Sequence, residues 1–234
     1  MHTMVSAIKT FFEKNANPTL AGPMAAYMRN QFPYLGIKSE QNSELQDQFY
    51  SEHGLPRLEE LARIMHELWE LPEREFQYIG IGLVFKFQKE IPSEFIETLE
   101  SMIATKSWWD TVDTLAGNIV GNHFRRFPAL RDETLSRWRG SENLWLRRTS
   151  ILFQLGYKKE TDFPLLCEII HENLGSKEFF INKAIGWSLR QYSRVDEDAV
   201  RSFVAQTPLQ PLSAREALKW LERRKKDSSP TMAL

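Results

Sequence analysis

Apolar residues return at intervals of three and four along nearly the whole chain. Leu58, Leu61, Ala62, Met65, Leu68 and Trp69 make one such stripe, and Phe95, Leu99, Met102 and Ile103 make another. At 3.6 residues per turn these positions fall on one helix face, whereas a half-buried strand would alternate strictly between apolar and polar residues, and no segment does so. Ser93, Ser107, Ser141, Ser176 and Ser213 each precede an apolar-periodic stretch, several with an acidic residue within the next turn. A serine oxygen there can accept one of the orphan N–H groups of a helix start, so these serines predict helix openings. The pattern predicts an all-α protein.

The stretches also resemble one another. Ser141–Arg148 (SENLWLRR) and Ser176–Lys183 (SKEFFINK) share a polar start, an aromatic middle and a basic end, and Thr105–Trp109 and Pro72–Phe76 read as earlier copies. A period of about 35 residues with two helices per unit belongs to the range of helical solenoids. A helix pair cannot bury its apolar face alone, so stacked pairs would form one continuous core and a curved surface. The expectation is a single solenoid domain over residues 1–226. Apolar periodicity fades from Arg223, which predicts a flexible tail over residues 227–234.

Composition narrows the class. With 42% hydrophobic and 26% charged residues the chain has the make-up of a folded protein rather than a disordered one. Its longest apolar runs, such as Ile79–Phe85, are far shorter than a membrane span, and the N-terminus lacks a charged-then-apolar leader, so a cytoplasmic protein is expected. Cys167 is the one cysteine and has no partner for a disulfide. The net charge of −1 conceals an imbalance: residues 1–100 carry 9 Lys and Arg against 15 Asp and Glu, and residues 101–234 carry 21 against 16. An excess of positive charge in the C-terminal part is compatible with a polyanionic partner.

Several catalytic signatures fail. Gly80-Ile81-Gly82 lacks a third glycine and lies in a helical run, so it is no dinucleotide loop. His66-Glu67 begins like a zinc-protease helix but has no second histidine, and the five histidines lack ligand spacing. There is no nucleophile elbow and no Cys-x-x-Cys, and no metal or cofactor is expected.

The chemistry that remains is aromatic, acidic and basic. In Ser107-Trp108-Trp109-Asp110-Thr111-Val112-Asp113, the residues Trp108, Val112, Leu115 and Ile119 form a core stripe, and Trp109 and Asp113 lie four apart on the neighbouring face. That pair reads either as a packing indole beside a solvated carboxylate or as an aromatic and an anion presented to a ligand. Arg148 takes one place in the apolar stripe Leu144, Arg148, Ile151, Leu155, so its guanidinium must snorkel, find a carboxylate or meet an anionic ligand. Trp187 has Lys183 four residues before it, with Arg190 and Arg194 three and seven after. Such an aromatic among cations suits a nucleic-acid backbone.

At these residues the chain resembles the AlkD family of DNA alkylation repair enzymes, a superfamily of HEAT-like helical repeats. The likeness runs through Pro23–Met28, Glu67–Phe76, Ser107–Asp113, Ile151–Leu155 and Ser176–Ile181, with the double tryptophan followed by Asp-x-Val-Asp and the run Lys183–Trp187 as its most specific parts. The chain departs from it at Lys38-Ser39-Glu40-Gln41, where the family commonly has a proline and an arginine. The resemblance implies a curved solenoid with a concave basic face that binds duplex DNA as a monomer. The implied activity is hydrolysis of the N-glycosidic bond of cationic N-alkylated purines, such as 3-methyladenine, 7-methylguanine and bulkier adducts, without enclosing the base. Trp109, Asp113, Arg148 and Trp187 match its active-site residues. In that scheme Asp113 stabilises the developing sugar cation, Trp109 and Trp187 pack on the deoxyribose, and Arg148 holds a flanking phosphate. Lys183, Arg190 and Arg194 would add backbone contacts, and a nucleoid-associated bacterial protein is expected. The competing expectations are a non-catalytic binder of damaged or branched DNA and a protein-binding scaffold.

Overall fold

A computed structural model of the chain describes the backbone of residues 1–228 and the side chains of residues 1–224. Every regular element among the described residues is helical, as the periodicity predicts. Two compact units make up the chain, Met1–Thr111 and Val112–Leu234. The first holds α1 (Thr3–Lys14), α2 (Pro18–Tyr27), α3 (Ser39–His53), α4 (Leu61–Glu70), α5 (Arg74–Phe87) and α6 (Ile96–Ala104). Helix α7 (Trp109–Thr114) leads through a π-helical segment, Leu115–Val120, into α8 (Gly121–Arg126). The second unit continues with α9 (Pro128–Trp138), α10 (Leu144–Leu152), α11 (Phe163–Glu172), α12 (Phe179–Tyr192), α13 (Glu197–Gln206) and α14 (Pro211–Ser228).

Helix starts follow capping chemistry, though not always at the serines. Asn17, Asn143, Asp162 and Asp196 accept backbone N–H groups at the starts of α2, α10, α11 and α13. Proline stands at the first turn of α2 and α11, where its missing N–H is no loss. Ser141 and Ser176 lie two residues too early: their hydroxyls accept from the N–H groups of Asn143 and Glu178, and those residues take the N-cap positions. Ser107 closes a helix instead, donating to the Ile103 carbonyl of α6. Ser213 sits inside α14 and donates to the Asn182 carbonyl of α12.

The repeat is visible in bonds that join equivalent elements. In the first unit Trp69 Nε1 donates to the Met102 carbonyl at 3.1 Å, 33 residues on, and Arg74 Nη1 donates to the Lys106 carbonyl at 2.7 Å, 32 residues on. In the second, Arg148 Nη1 reaches the Phe180 carbonyl, also 32 residues on, and Tyr157 Oη donates to the Gly121 carbonyl at 2.7 Å across 36 residues. One unit of the repeat thus bonds to the next at the spacing read from the sequence, and the chain has a helical-repeat fold. Phe12, Ile64, Met65, Leu68, Phe76 and Ile79 fill the first core, and Phe124, Trp138, Phe153, Ile169, Ile185 and Leu189 the second. Gly80 is a packing glycine of α5: a Cβ there would lie 2.9 Å from the Trp69 ring of α4.

No helix among the described residues is long and apolar enough to cross a membrane. Helix α14 continues through residues 227 and 228, past the boundary expected at 226. The rest of the expected tail, residues 229–234, lies outside the described residues.

Candidate functional site

Of the three fates open to Arg148, the structure selects the carboxylate. The side chain is only 3% exposed, and it meets Asp113 through two parallel bonds, Nε to Oδ1 at 2.7 Å and Nη2 to Oδ2 at 2.8 Å. Its third nitrogen, Nη1, donates to the Phe180 carbonyl just inside α12, and its Cζ lies 5.6 Å from the Phe180 ring centre. The guanidinium fork matches a carboxylate edge in this geometry, so Asp113 is held in one orientation. In this geometry Arg148, a buried guanidinium committed on three nitrogens, positions Asp113. Asp113 keeps 16% of its side-chain surface open. Its helix passes directly into the π-helical segment, whose Leu115, Ala116, Ile119 and Val120 are buried.

Helix α12 carries the next group. Trp187 is half-buried, and Lys183 and Arg190 both turn to Glu216 of α14. Lys183 Nζ is 2.9 Å from Glu216 Oε1, Lys219 Nζ is 3.8 Å from the same oxygen, and Arg190 donates to Oε2. The Lys183 hydrogen bond, with Arg190 and Lys219 nearby, holds the Glu216 carboxyl down at about 2. Arg194 is exposed and lies 5.8 Å from the Trp220 ring. Helices α12 and α14 approach closely because position 186 is glycine: a Cβ there would meet Glu216 Cβ at 2.5 Å and the Ser213 carbonyl at 2.8 Å.

Trp109 belongs to the first unit. It is half-buried and meets Tyr27, the exposed last residue of α2, edge to face with ring centres 6.4 Å apart. The start of α7 is clamped by Arg74, a fully buried arginine. Arg74 Nε and Nη2 donate to Asp110 Oδ2 and Oδ1 at 2.9 and 2.7 Å, Nη2 reaches Thr111 Oγ1 at 2.8 Å, and Nη1 takes the Lys106 carbonyl. Lys106 has a left-handed backbone with φ of 47°, a conformation costly for a residue with a Cβ and held here by that bond. Tyr78 Oη donates to Asp110 at 2.7 Å and lies 3.0 Å from Tyr34 Oη. Burial pushes the Tyr34 phenol up to about 12 and that of Tyr78 higher, so both stay protonated as donors. Next to Arg74, the buried Glu75 accepts the N–H groups of Leu35, Gly36 and Ile37, which pins the segment that follows α2.

Arg74 and Arg148 each tie a carbonyl 32 residues on, together with a carboxylate that lies 36 residues after Arg74 and 35 residues before Arg148. A family model described as DNA alkylation repair enzyme matches residues 8–221. The chain belongs to that family. It is also similar to the solved structure of a predicted DNA alkylation repair enzyme from Enterococcus faecalis, with 33% identity and a TM-score of 0.81, over 88% of this chain and 96% of that one. No protein of curated function matches.

Within this DNA alkylation repair family member, the sequence-predicted site residues meet several partners, and Lys183, Arg190 and Arg194 line one groove with Glu216 and Trp220. Asp113 and Arg148 form one pair, Lys183 and Arg190 meet on Glu216, Arg194 adjoins Trp220, and Trp109 adjoins Tyr27. Sequence reasoning assigned nothing to Glu216, Lys219 or Trp220, because α14 lacks the aromatic-start signature of the earlier repeats. Tyr27 lay within a stretch that carried the resemblance but had no role attached. The Arg74–Asp110 pair had a signal, since 36 residues separate them, which is the repeat length.

Proposed function

We propose that this DNA alkylation repair family member is a DNA glycosylase acting on cationic N-alkylated purines in duplex DNA, without enclosing the base. The observation that carries the reading is the Asp113 carboxylate, oriented by a buried bidentate arginine and still partly open to solvent. N-alkylation at a purine ring nitrogen gives the base a positive charge and makes it a good leaving group. The need is then to stabilise the sugar cation as the bond breaks, and a preorganised carboxylate does this without reorganising at the moment of reaction. Trp109, one turn before Asp113 on α7, and Trp187 of α12 would supply aromatic faces to the deoxyribose. Lys183, Arg190 and Arg194 would meet backbone phosphates. No general acid is needed for so labile a base.

The test is release of free 7-methylguanine from methylated duplex DNA in a single turnover, by the full chain and by Asp113→Asn. Release that depends on Asp113 supports the reading. Binding of the duplex with no base released refutes it and favours a second reading, a non-catalytic binder of damaged DNA. One observation speaks for that alternative: Asp113 already has a partner in Arg148, as a structural carboxylate would.

A further inference from the structure

The start of α5 holds two separate stretches of chain in the first unit. The Arg74 backbone N–H donates to the Pro33 carbonyl at 2.9 Å, its guanidinium carbon lies 4.0 Å from the Phe32 ring centre, and Glu75 accepts the N–H groups of Leu35, Gly36 and Ile37. Arg74 also spends its side-chain nitrogens on Lys106, Asp110 and Thr111, on either side of Trp109. A buried ion pair adds little net stability over apolar packing, but a guanidinium fork admits one carboxylate orientation. What it orients here is the start of α7, whose first residue is Trp109. The approach to that residue is strained: Lys106 is left-handed, and its ammonium donates to the Leu71 carbonyl at 2.5 Å. A strained backbone persists only where its surroundings over-determine it.

Tyr78, one turn after Arg74, is the member of this network that an ion pair does not need. Its hydroxyl proton goes to Asp110 Oδ2, the oxygen that also accepts from Arg74 Nε, so Tyr34, 3.0 Å away, must donate to Tyr78. Burial keeps both phenols protonated. The relay therefore runs from Tyr34 through Tyr78 to Asp110, the residue next to Trp109. The Trp109 ring is only half-buried, so its placement depends on the backbone that carries it.

We propose that Tyr78 is a positioning residue for Trp109: through Asp110 it fixes the first turn of α7, so that the indole is presented to the deoxyribose in one orientation. The inference rests on the proposed glycosylase action, in which Trp109 supplies an aromatic face, and it adds a residue that acts through its neighbour.

The experiment follows the full chain labelled with 5-fluorotryptophan by fluorine NMR, the Trp109 signal being identified among the seven tryptophans by its loss in Trp109→Phe. In Tyr78→Phe that signal should move or broaden, while the signal of Trp138 in the second unit stays in place. Single-turnover release of 7-methylguanine should fall by about 10–10²-fold, the cost of misplacing a group by up to about 1 Å, with affinity for an undamaged duplex kept within about threefold. Tyr34→Phe keeps the bond from Tyr78 to Asp110 and should cost less. In a Trp109→Ala background, Tyr78→Phe should change release by less than about twofold, because residues that act through one group are not additive. Thermal melts establish folding, and Tyr34→Phe/Tyr78→Phe, which removes the hydroxyl that the single change strands, repeats the test if Tyr78→Phe does not fold. An unmoved Trp109 signal in a folded variant would overturn the proposal. So would a loss of release as large in the Trp109→Ala background as in wild type. A wild-type chain that releases no base would refute the glycosylase reading instead, and the Trp109 signal would still decide whether Tyr78 places that ring.

Discussion

Replacing Asp113 by Asn tests whether that carboxylate acts on the lesion or only balances Arg148. The substitution keeps the shape and removes the charge, but it also puts an amide NH2 opposite a guanidinium that donates to both carboxylate oxygens at 2.7 and 2.8 Å. Arg148, 3% exposed, is left without a counter-charge, and stranding one member of a buried pair costs about 3–5 kcal/mol. For a chain of this size, where about 1 kcal/mol moves Tm by 2–4 °C, the expected fall is about 6–20 °C. Excision should fall by about 10²–10³ if one electrostatic contact to the sugar cation is lost. The two effects separate in the double variant Asp113→Asn/Arg148→Met, which removes the stranded charge together with the donor clash. Stability should recover by most of the loss, and the coupling energy from the double-mutant cycle should exceed about 1 kcal/mol. Excision, followed as 7-methylguanine release in single turnovers, should stay low because no carboxylate faces the sugar. A double variant that regains excision to within a few-fold of wild type would show that Asp113 serves only to neutralise Arg148. Unchanged Tm in Asp113→Asn would refute the paired geometry itself.

Other perturbations test the supporting structure. Glu216 has its carboxyl held at about 2, below the ordinary 4.5, so its contribution to stability is present above about pH 4.5 and is lost as pH falls towards 2; the Tm gap between wild type and Glu216→Gln should close over that window in thermal melts. Gly186→Ala places a methyl 2.8 Å from the Ser213 carbonyl and should destabilise the chain by about 1–3 kcal/mol in urea unfolding, whereas an unaltered midpoint would mean that α14 can shift freely. Arg74→Met takes the counter-charge of Arg74 away from Asp110, whose side chain is 7% exposed, and should cost about 3–5 kcal/mol in the same assay; a change below about 1 kcal/mol would remove the clamp from the account of α7.

Helix content and the repeat were legible in the sequence because both are periodic: apolar spacing reports a helix face, and self-similarity at about 35 residues reports stacking between neighbours. The bonds from Trp69, Arg74 and Arg148 to positions 32 or 33 residues on express that period directly. The anomaly of Arg148 in an apolar stripe was legible too, as a charge that needed compensation. Its partner was not, since Asp113 lies 35 residues earlier on another helix and reads locally as a solvated acid beside Trp109. Which of snorkelling, ion pairing or ligand binding satisfies a buried charge depends on what the neighbouring repeat presents, and only the packed structure supplies that neighbour. The same holds for Glu216. On its own helix it is one acid among several cations, and it becomes the meeting point of Lys183, Arg190 and Lys219 because Gly186 lets α14 come close to α12. Local pattern decided the elements and their order, while the pairing of charges between elements was decided by tertiary approach, where a missing Cβ sets the distance and burial makes each unpaired charge costly.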